Sequence, residues 1–314
     1  MRRPTIGVVV PSYNHESFLE VAITSALDQT LPPDRVVVVD DGSCDGSVRI
    51  LERLREDRRV TALFQENRGA HATLTRGVDE IGTDLVFILN SDDRYAPDRI
   101  ERFAALFAGR PHLGLAGSWL EIIDKQGRPM GVKEGWDNCE PWKLPPRHLT
   151  FQGTQDPVSN LLQTNYLATT SNFVFASALW RECRPFRPLR YAHDWDFALR
   201  ASAHAELAVI PRPLVQYRVH GANTIREDRQ TMELEILWVQ AANLSAQLSE
   251  SEGADFYDRL LHSFPDLGHP RTLVLLVALA AADARNGGKR LEEILDVDNP
   301  LRRRLLKEMA NAHA

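Results

Sequence analysis

Between residues 6 and about 120 the chain alternates short β-rich runs with longer stretches of helical periodicity, and this alternation limits the possible fold more than any other feature. The runs cover 6–10, 36–39, 60–64 and 85–89, with a weaker one at 113–119. Between them lie stretches at 16–28, 45–56, 70–81 and 97–107. In the second stretch Val48, Leu51 and Leu54 recur every third residue beside Ile50, and in the fourth Ile100, Phe103, Leu106 and Phe107 do the same, which predicts one apolar helical face each. Strand, helix, strand, helix is the order of an α/β fold, a Rossmann-like, mostly parallel sheet joined by right-handed crossovers and flanked by helices. In such sheets ligands bind at the carboxyl ends of the strands.

The predicted strand exits are therefore where chemistry is expected. They read Pro11-Ser12-Tyr13-Asn14, Asp40-Asp41-Gly42-Ser43, Glu66-Asn67-Arg68-Gly69 and Asp92-Asp93. Each alone is ordinary turn chemistry. Together they put four polar exits on consecutive strands. A tyrosine offers a ring face to a nucleobase, an aspartate accepts from a base N–H or a ribose hydroxyl, and an arginine meets a diphosphate. The fourth exit follows Leu85-Val86-Phe87-Ile88-Leu89, an apolar run that reads as a strand buried on both faces. It delivers Asp92 and Asp93 side by side, and two adjacent carboxylates call for a positive partner. Mg²⁺ or Mn²⁺ would serve, since hard ions take carboxylate oxygens together with phosphate and water. The competing reading is that the pair caps the helix beginning near Pro97. Neither a Walker A loop nor a G-x-G-x-x-G turn follows any strand, so bound phosphates would be met by a metal and by side chains.

Composition narrows the partners. The 314 residues carry a formal charge of -6, which argues against nucleic acid, whose binding requires a basic face. Three cysteines, Cys44, Cys139 and Cys183, are far apart and odd in number, so a disulfide framework is not expected and a reducing, cytoplasmic setting is. The first residues lack the apolar core of a signal peptide. The longest apolar run, 273–282, is half of what a membrane-spanning helix needs and reads as a buried helix.

Val8-Val9-Val10-Pro11-Ser12-Tyr13-Asn14, Val38-Val39-Asp40-Asp41-Gly42-Ser43, Asn67-Arg68-Gly69 and Asn90-Ser91-Asp92-Asp93 together resemble, in order and spacing, the GT-A fold of family 2 glycosyltransferases. The resemblance covers roughly the first 110 residues. It implies an inverting, metal-dependent transfer of a sugar from a UDP-, GDP- or dTDP-sugar to a glycan, lipid-linked or protein hydroxyl in glycan or polysaccharide biosynthesis. Pro11, Tyr13, Asp40, Asp41, Arg68 and Asp92 would then bind the nucleotide sugar, and Asp92 and Asp93 would stand for the family's DxD element. Asn90 departs from the pattern, since the family often has Asp there.

Further on, residues 120–170 are broken by Gly and Pro and predict a long connection with short elements, containing or adjoining Trp119, Trp136 and Trp142. A strand at 171–175 and a short helix at 177–183 follow. In Tyr191-Ala192-His193-Asp194-Trp195-Asp196, Asp194 shares a helical face with Phe197 and Ala198, so its carboxylate sits at a helix start. It is either a cap or, as the resemblance to the family's acidic E/D-D element implies, the base that deprotonates the acceptor, with His193 in place of the usual first acid. Asp196 has the weaker claim. A strand at 207–210 leads to Tyr217-Arg218-Val219-His220, which resembles the family's Y-R-x-H segment; Arg218 would neutralise the leaving group and His220 would join the metal or the diphosphate. His15 and His71 receive no role. From 226 the pattern is helical, ending in a basic piece with Arg302, Arg303, Arg304 and Lys307, which is either a solvated helix end or a peripheral contact with an anionic membrane.

The expected organisation is a GT-A domain over 1–225, with a nucleotide-sugar half at 1–119 and an acceptor half at 120–225, followed by a helical extension over 226–314. Two rivals stand beside it. A sugar-nucleotide nucleotidyltransferase would need a Gly-rich basic first loop, which Pro11-Ser12-Tyr13-Asn14 is not. A non-catalytic carbohydrate-binding relative would have no need of Asp92, Asp93 and Asp194.

Overall fold

The structure, a computed structural model, describes residues 3–134, 161, 164–221, 228–247 and 269–312. Trp136 and Trp142, and most of the connection expected at 120–170, lie outside the described residues.

The first half alternates as its periodicity demands: β1 (Ile6–Ser12), α1 (Leu19–Leu27), β2 (Arg35–Asp40), α2 (Ser47–Leu54), β3 (Val60–Phe64), α3 (Ala70–Ile81) and β4 (Leu85–Ile88). All four strands pair in parallel, in the order β3-β2-β1-β4. Period-two alternation divides their side chains between two cores. Val9, Val37, Val39, Val86 and Ile88 face α3. Val8, Val10, Val36, Val38 and Phe87 face α1 and the later helix α4 (Arg99–Gly109). Helix α3 approaches β1 closely enough that a Cβ on Gly77 would stand 2.4 Å from Val9, so this position requires glycine.

The second half is mixed, in a way that helical and strand periods alone do not announce. After the two-residue β5 (Arg94–Tyr95) and α4 comes β6 (Leu113–Ile123), longer than expected, which turns at 124–128 into β7 (Pro129–Lys133). A 3₁₀ turn (Thr170–Asn172) precedes β8 (Val174–Ala176), which lies between β4 and β6 and runs antiparallel to both. Helices α5 (Ser177–Cys183) and α6 (His193–Ser202) follow. Strand β9 (Glu206–Arg218) does not stop at Ile210; it passes through Pro211-Arg212-Pro213 by a register shift against Ser118 and Trp119, which absorbs residues that cannot donate to the ladder. Its far end carries Arg218 back to the exit of β4, a return that builds the site.

The C-terminal helices are α7 (Arg229–Gln247), α8 (Pro270–Asn286), α9 (Arg290–Glu293) and α10 (Pro300–Ala312). They pack against the sheet. Leu234, Leu237, Trp238 and Val239 of α7 belong to the same apolar cluster as Phe173, Phe175 and Phe197 beneath the sheet. Asp196 of α6, fully buried, receives Arg187, Arg200 and Asn243 of α7, so its carboxylate is spent on joining the two regions. The basic C-terminal run is interrupted: Arg302 is buried, while Arg303 and Arg304 pair with Asp298 and Glu308. Among the described residues no helix is long and apolar enough to cross a membrane.

Candidate active site

Four strand ends converge as the parallel order requires, and each exit is tied to its neighbour. Asn14 adopts a left-handed φ of 52°, and its side chain accepts from the Cys44 N–H at 2.8 Å. Tyr13 beside it is 46% exposed. Asp40 is buried and accepts from the Ser43 N–H at 2.9 Å and the Ser43 hydroxyl at 2.7 Å. Asp41, also buried, accepts from Gln65 Nε2 at 2.7 Å and from the Arg68 and Gly69 N–H groups at 2.9 and 2.8 Å. The structure thus uses Asp41 to hold the third exit, leaving the Arg68 side chain exposed above it. Pro11 is half-buried at the end of β1.

Asp92 and Asp93 point different ways. Asp93 Oδ2 accepts from the Ser171 hydroxyl at 2.6 Å and Oδ1 from the Arg218 N–H at 2.8 Å, which ties β4 to the 3₁₀ turn and to β9. Burial and the adjacent Asp92 charge push the Asp93 carboxyl well above the usual range. Asp92 Oδ2 instead lies 3.1 Å from His220 Nε2. Burial would raise this carboxyl too, but the His220 hydrogen bond and the nearby His15 and His220 rings outweigh it, and it is held low. Within this arrangement Arg218 is an organiser. Its Nε donates to the Asp92 carbonyl at 2.8 Å, its Nη1 to the carbonyls of Asp124 and Lys125, and its guanidinium lies 4.9 Å from the Phe18 ring centre.

His15, left without a role by the sequence, completes a cluster. One ligand atom from each of His15, Asp92 and His220 lies within 4.8 Å of the others, the one such grouping among the described residues. Two imidazoles and an ionised carboxylate form a donor set that fits a divalent cation. Asp93 is not part of that grouping; its two oxygens accept from Ser171 and the Arg218 N–H.

The third part of the site is the start of α6. Asp194 is 8% exposed; its Oδ1 accepts from the Trp195 N–H at 2.7 Å and its Oδ2 from Asn165 Nδ2 at 3.1 Å. Burial dominates these bonds and pushes its pKa up to about 7. The segment 190–192 that leads into the helix is held from outside: the Glu235 carboxylate of α7 accepts from the N–H groups of Arg190, Tyr191 and Ala192 at 3.0, 2.7 and 3.2 Å. On its other side, Asn165 begins a tight turn in which Ala168 takes a φ of 68°. The same turn continues into Thr169, Thr170 and Ser171, whose hydroxyls hold Asn90 and Asp93. A single stretch, 165–171, therefore touches both the Asp93 and the Asp194 carboxylates.

Comparison with known proteins assigns this architecture. The model of "Glycosyl transferase family 2" matches residues 7–173, more than half of the chain. The chain belongs to glycosyl transferase family 2. An uncharacterised glycosyltransferase of Haemophilus influenzae is 27% identical over 226 residues, which cover 70% of this chain and 67% of that relative, so the chain spans about two thirds of its length. Among solved structures, S. aureus TarS 1-349 in complex with UDP-GlcNAc superposes with a TM-score of 0.63 at 16% identity, over 98% of this chain and 90% of that one. Mannosyltransferase PcManGT from Pyrobaculum calidifontis, in complex with GDP-Man and Mn²⁺, gives 0.58 at 18% identity, over 99% and 86%. Both likenesses establish a GT-A fold with a C-terminal helical region.

For a family 2 chain, Asn90 where aspartate is frequent has a local explanation. Its Nδ2 donates to Thr169 Oγ1 at 3.2 Å and its Oδ1 accepts from Thr170 Oγ1 at 2.8 Å, a pairing that uses both ends of an amide. The residues that sequence reasoning missed are His15, Asn165 and Glu235. His15 directly follows the first exit, and extending that exit by one residue would have included it. Asn165 and Glu235 carry no comparable signal, since they act on a side chain and on backbone groups remote in sequence.

Proposed function

We propose that this protein is an inverting glycosyltransferase that moves a sugar from a nucleoside-diphosphate sugar to a hydroxyl acceptor, with Asp194 as the base. The observation that carries the reading is the Asp194 carboxyl itself, buried at a helix start and poised near pH 7, where a base is both available and strong enough to draw a proton in the transition state. Asp194 removes the proton from the acceptor hydroxyl as its oxygen bonds to the anomeric carbon; the bond from that carbon to the diphosphate breaks on the opposite face. Asn165 and the Trp195 N–H orient the carboxylate for this.

On the donor side, the exposed Tyr13 ring flanks the base and Pro11 shapes the pocket floor. Asp40 and Asp41 hold the exits in register through their Ser43, Arg68 and Gly69 bonds, and the free Arg68 side chain reaches the diphosphate. His15, Asp92 and His220 would hold a divalent ion, Mn²⁺ or Mg²⁺, which would supply positive charge for the departing diphosphate. A nucleoside-diphosphate-sugar donor is in keeping with the ligands of two structures of similar fold, UDP-GlcNAc on TarS and GDP-Man with Mn²⁺ on PcManGT. The acceptor is a glycan, lipid-linked or protein hydroxyl.

A thermal-shift panel of UDP-, GDP- and dTDP-sugars, each with and without Mn²⁺, tests the donor half, because a ligand of the native state raises the apparent melting temperature. One nucleotide class should stabilise in a metal-dependent way. No stabilisation by any of them, with or without metal, would end this reading.

A further inference from the structure

We infer that His15 makes this a nitrogen-rich cation site that holds Mn²⁺ or a similar transition-metal ion before any donor binds, and that discriminates against Mg²⁺. The inference rests on the donor-site reading above and extends it to the identity and timing of the ion.

Three observations carry it. The donor atoms of His15, Asp92 and His220 already lie within 4.8 Å of one another, close enough to share one ion. The two rings are held in place: they meet edge to face at 5.9 Å, and Phe18 packs against both, at 6.1 Å from His15 and 5.2 Å from His220. Finally, His15 has the outer partner that a metal-bound imidazole normally has, since its Nδ1 lies 2.7 Å from Ser91 Oγ. When Nδ1 carries the proton and donates it to Ser91, Nε2 keeps its lone pair for a ligand bond.

The selectivity follows from the donors. Mg²⁺ takes oxygen ligands in near-ideal octahedra and parts reluctantly with water, so a site offering one carboxylate and two imidazoles gives it little. Imidazole nitrogen suits the later divalent ions, and Mn²⁺ accepts both nitrogen and oxygen. A site dependent on carboxylates alone would wait for diphosphate oxygens to complete it. Three protein ligands remove that need.

The test uses the full chain without nucleotide. Titration with Mn²⁺, following loss of the free-ion EPR signal, should show one bound ion, and Mg²⁺ should compete at least about tenfold less well. Co²⁺ should give a visible spectrum with nitrogen ligation. His15→Gln should weaken Mn²⁺ by at least the roughly 10- to 100-fold that loss of an outer partner costs, and Ser91→Ala should produce that smaller loss with every ligand still present. Circular dichroism without metal checks that each variant is folded. Equal affinity for Mg²⁺ and Mn²⁺, absence of Mn²⁺ binding without nucleotide, or unchanged Mn²⁺ affinity in both variants would overturn the inference. Failure of the glycosyltransferase reading looks different: Mn²⁺ binds and responds to His15, while no nucleotide sugar stabilises the loaded protein.

Discussion

Replacing Asp194 with asparagine should stop transfer and at the same time stabilise the fold, by an amount that grows with pH. A carboxyl whose pKa goes from 3.8 in the unfolded chain to about 7 in the fold prefers its protonated form on folding. The native protein is therefore most stable, as far as this group is concerned, below about pH 4, and loses that stability as pH rises from about 4 to 7. At pH 8 the full penalty, on the order of 4 kcal/mol, is present; at pH 5 roughly 1.5 kcal/mol of it is. Asparagine carries no such penalty. It can accept from the Trp195 N–H or from Asn165, but its amide nitrogen cannot accept, so one of the two bonds is lost at a cost of about 1 kcal/mol. Urea denaturation of both proteins at pH 5 and pH 8 should thus show an advantage for Asp194→Asn that is small at pH 5 and larger by about 2–3 kcal/mol at pH 8. Transfer should fall by the roughly 10²–10⁴-fold that a positioned base contributes. A stability difference that is flat across this range, or a variant that still transfers at the native rate, would refute the assignment of a raised Asp194 and with it the base.

Glu235→Gln should lower kcat and move the acidic limb of the pH–rate profile downward, because the Glu235 charge helps to raise the Asp194 pKa and its carboxylate holds the 190–192 backbone. A variant with both unchanged would make Glu235 irrelevant to the site. Asn165→Ala should shift the same limb the other way, above pH 7, since the Asn165 donor lowers the Asp194 pKa; pH profiles of kcat measured side by side decide the sign. Asp93→Asn should leave Mn²⁺ binding by the apo protein within about threefold of native, whereas Asp92→Asn should weaken it by at least about tenfold, and isothermal titration separates them. Equal losses would put both carboxylates on the ion.

The parallel half of the sheet was legible because its period is local: apolar runs at 36–39 and 85–89 and helical stripes between them need no knowledge of distant partners. The mixed half was not. Nothing in 171–176 says that β8 inserts antiparallel between β4 and β6, and Pro211 and Pro213 argue for an ending that a register shift avoids. In the site, the sequence pointed to exits that the structure brings together, but not to which oxygens are already bonded. Asp92 and Asp93 are neighbours with the same chemistry, and only the positions of Ser171, Arg218 and His220 decide that one is enclosed and the other open. The partners of Asp40, Asp41 and Glu235 are largely backbone N–H groups, which every residue except proline has and which therefore leave no mark in the sequence.

Three successive N–H groups converging on one carboxylate form a cradle of the kind that elsewhere captures free anions. Here the anion is supplied by the chain, from a helix more than forty residues further on. Shortening that side chain, as in Glu235→Gly, would leave the cradle without its carboxylate beside the reactive helix, and a small carboxylate from solution has the charge and size to fill it. Formate or acetate should then restore part of the lost turnover to the variant and leave the native protein unaffected, so that the contribution of the C-terminal helices could be titrated as the binding of a buffer ion.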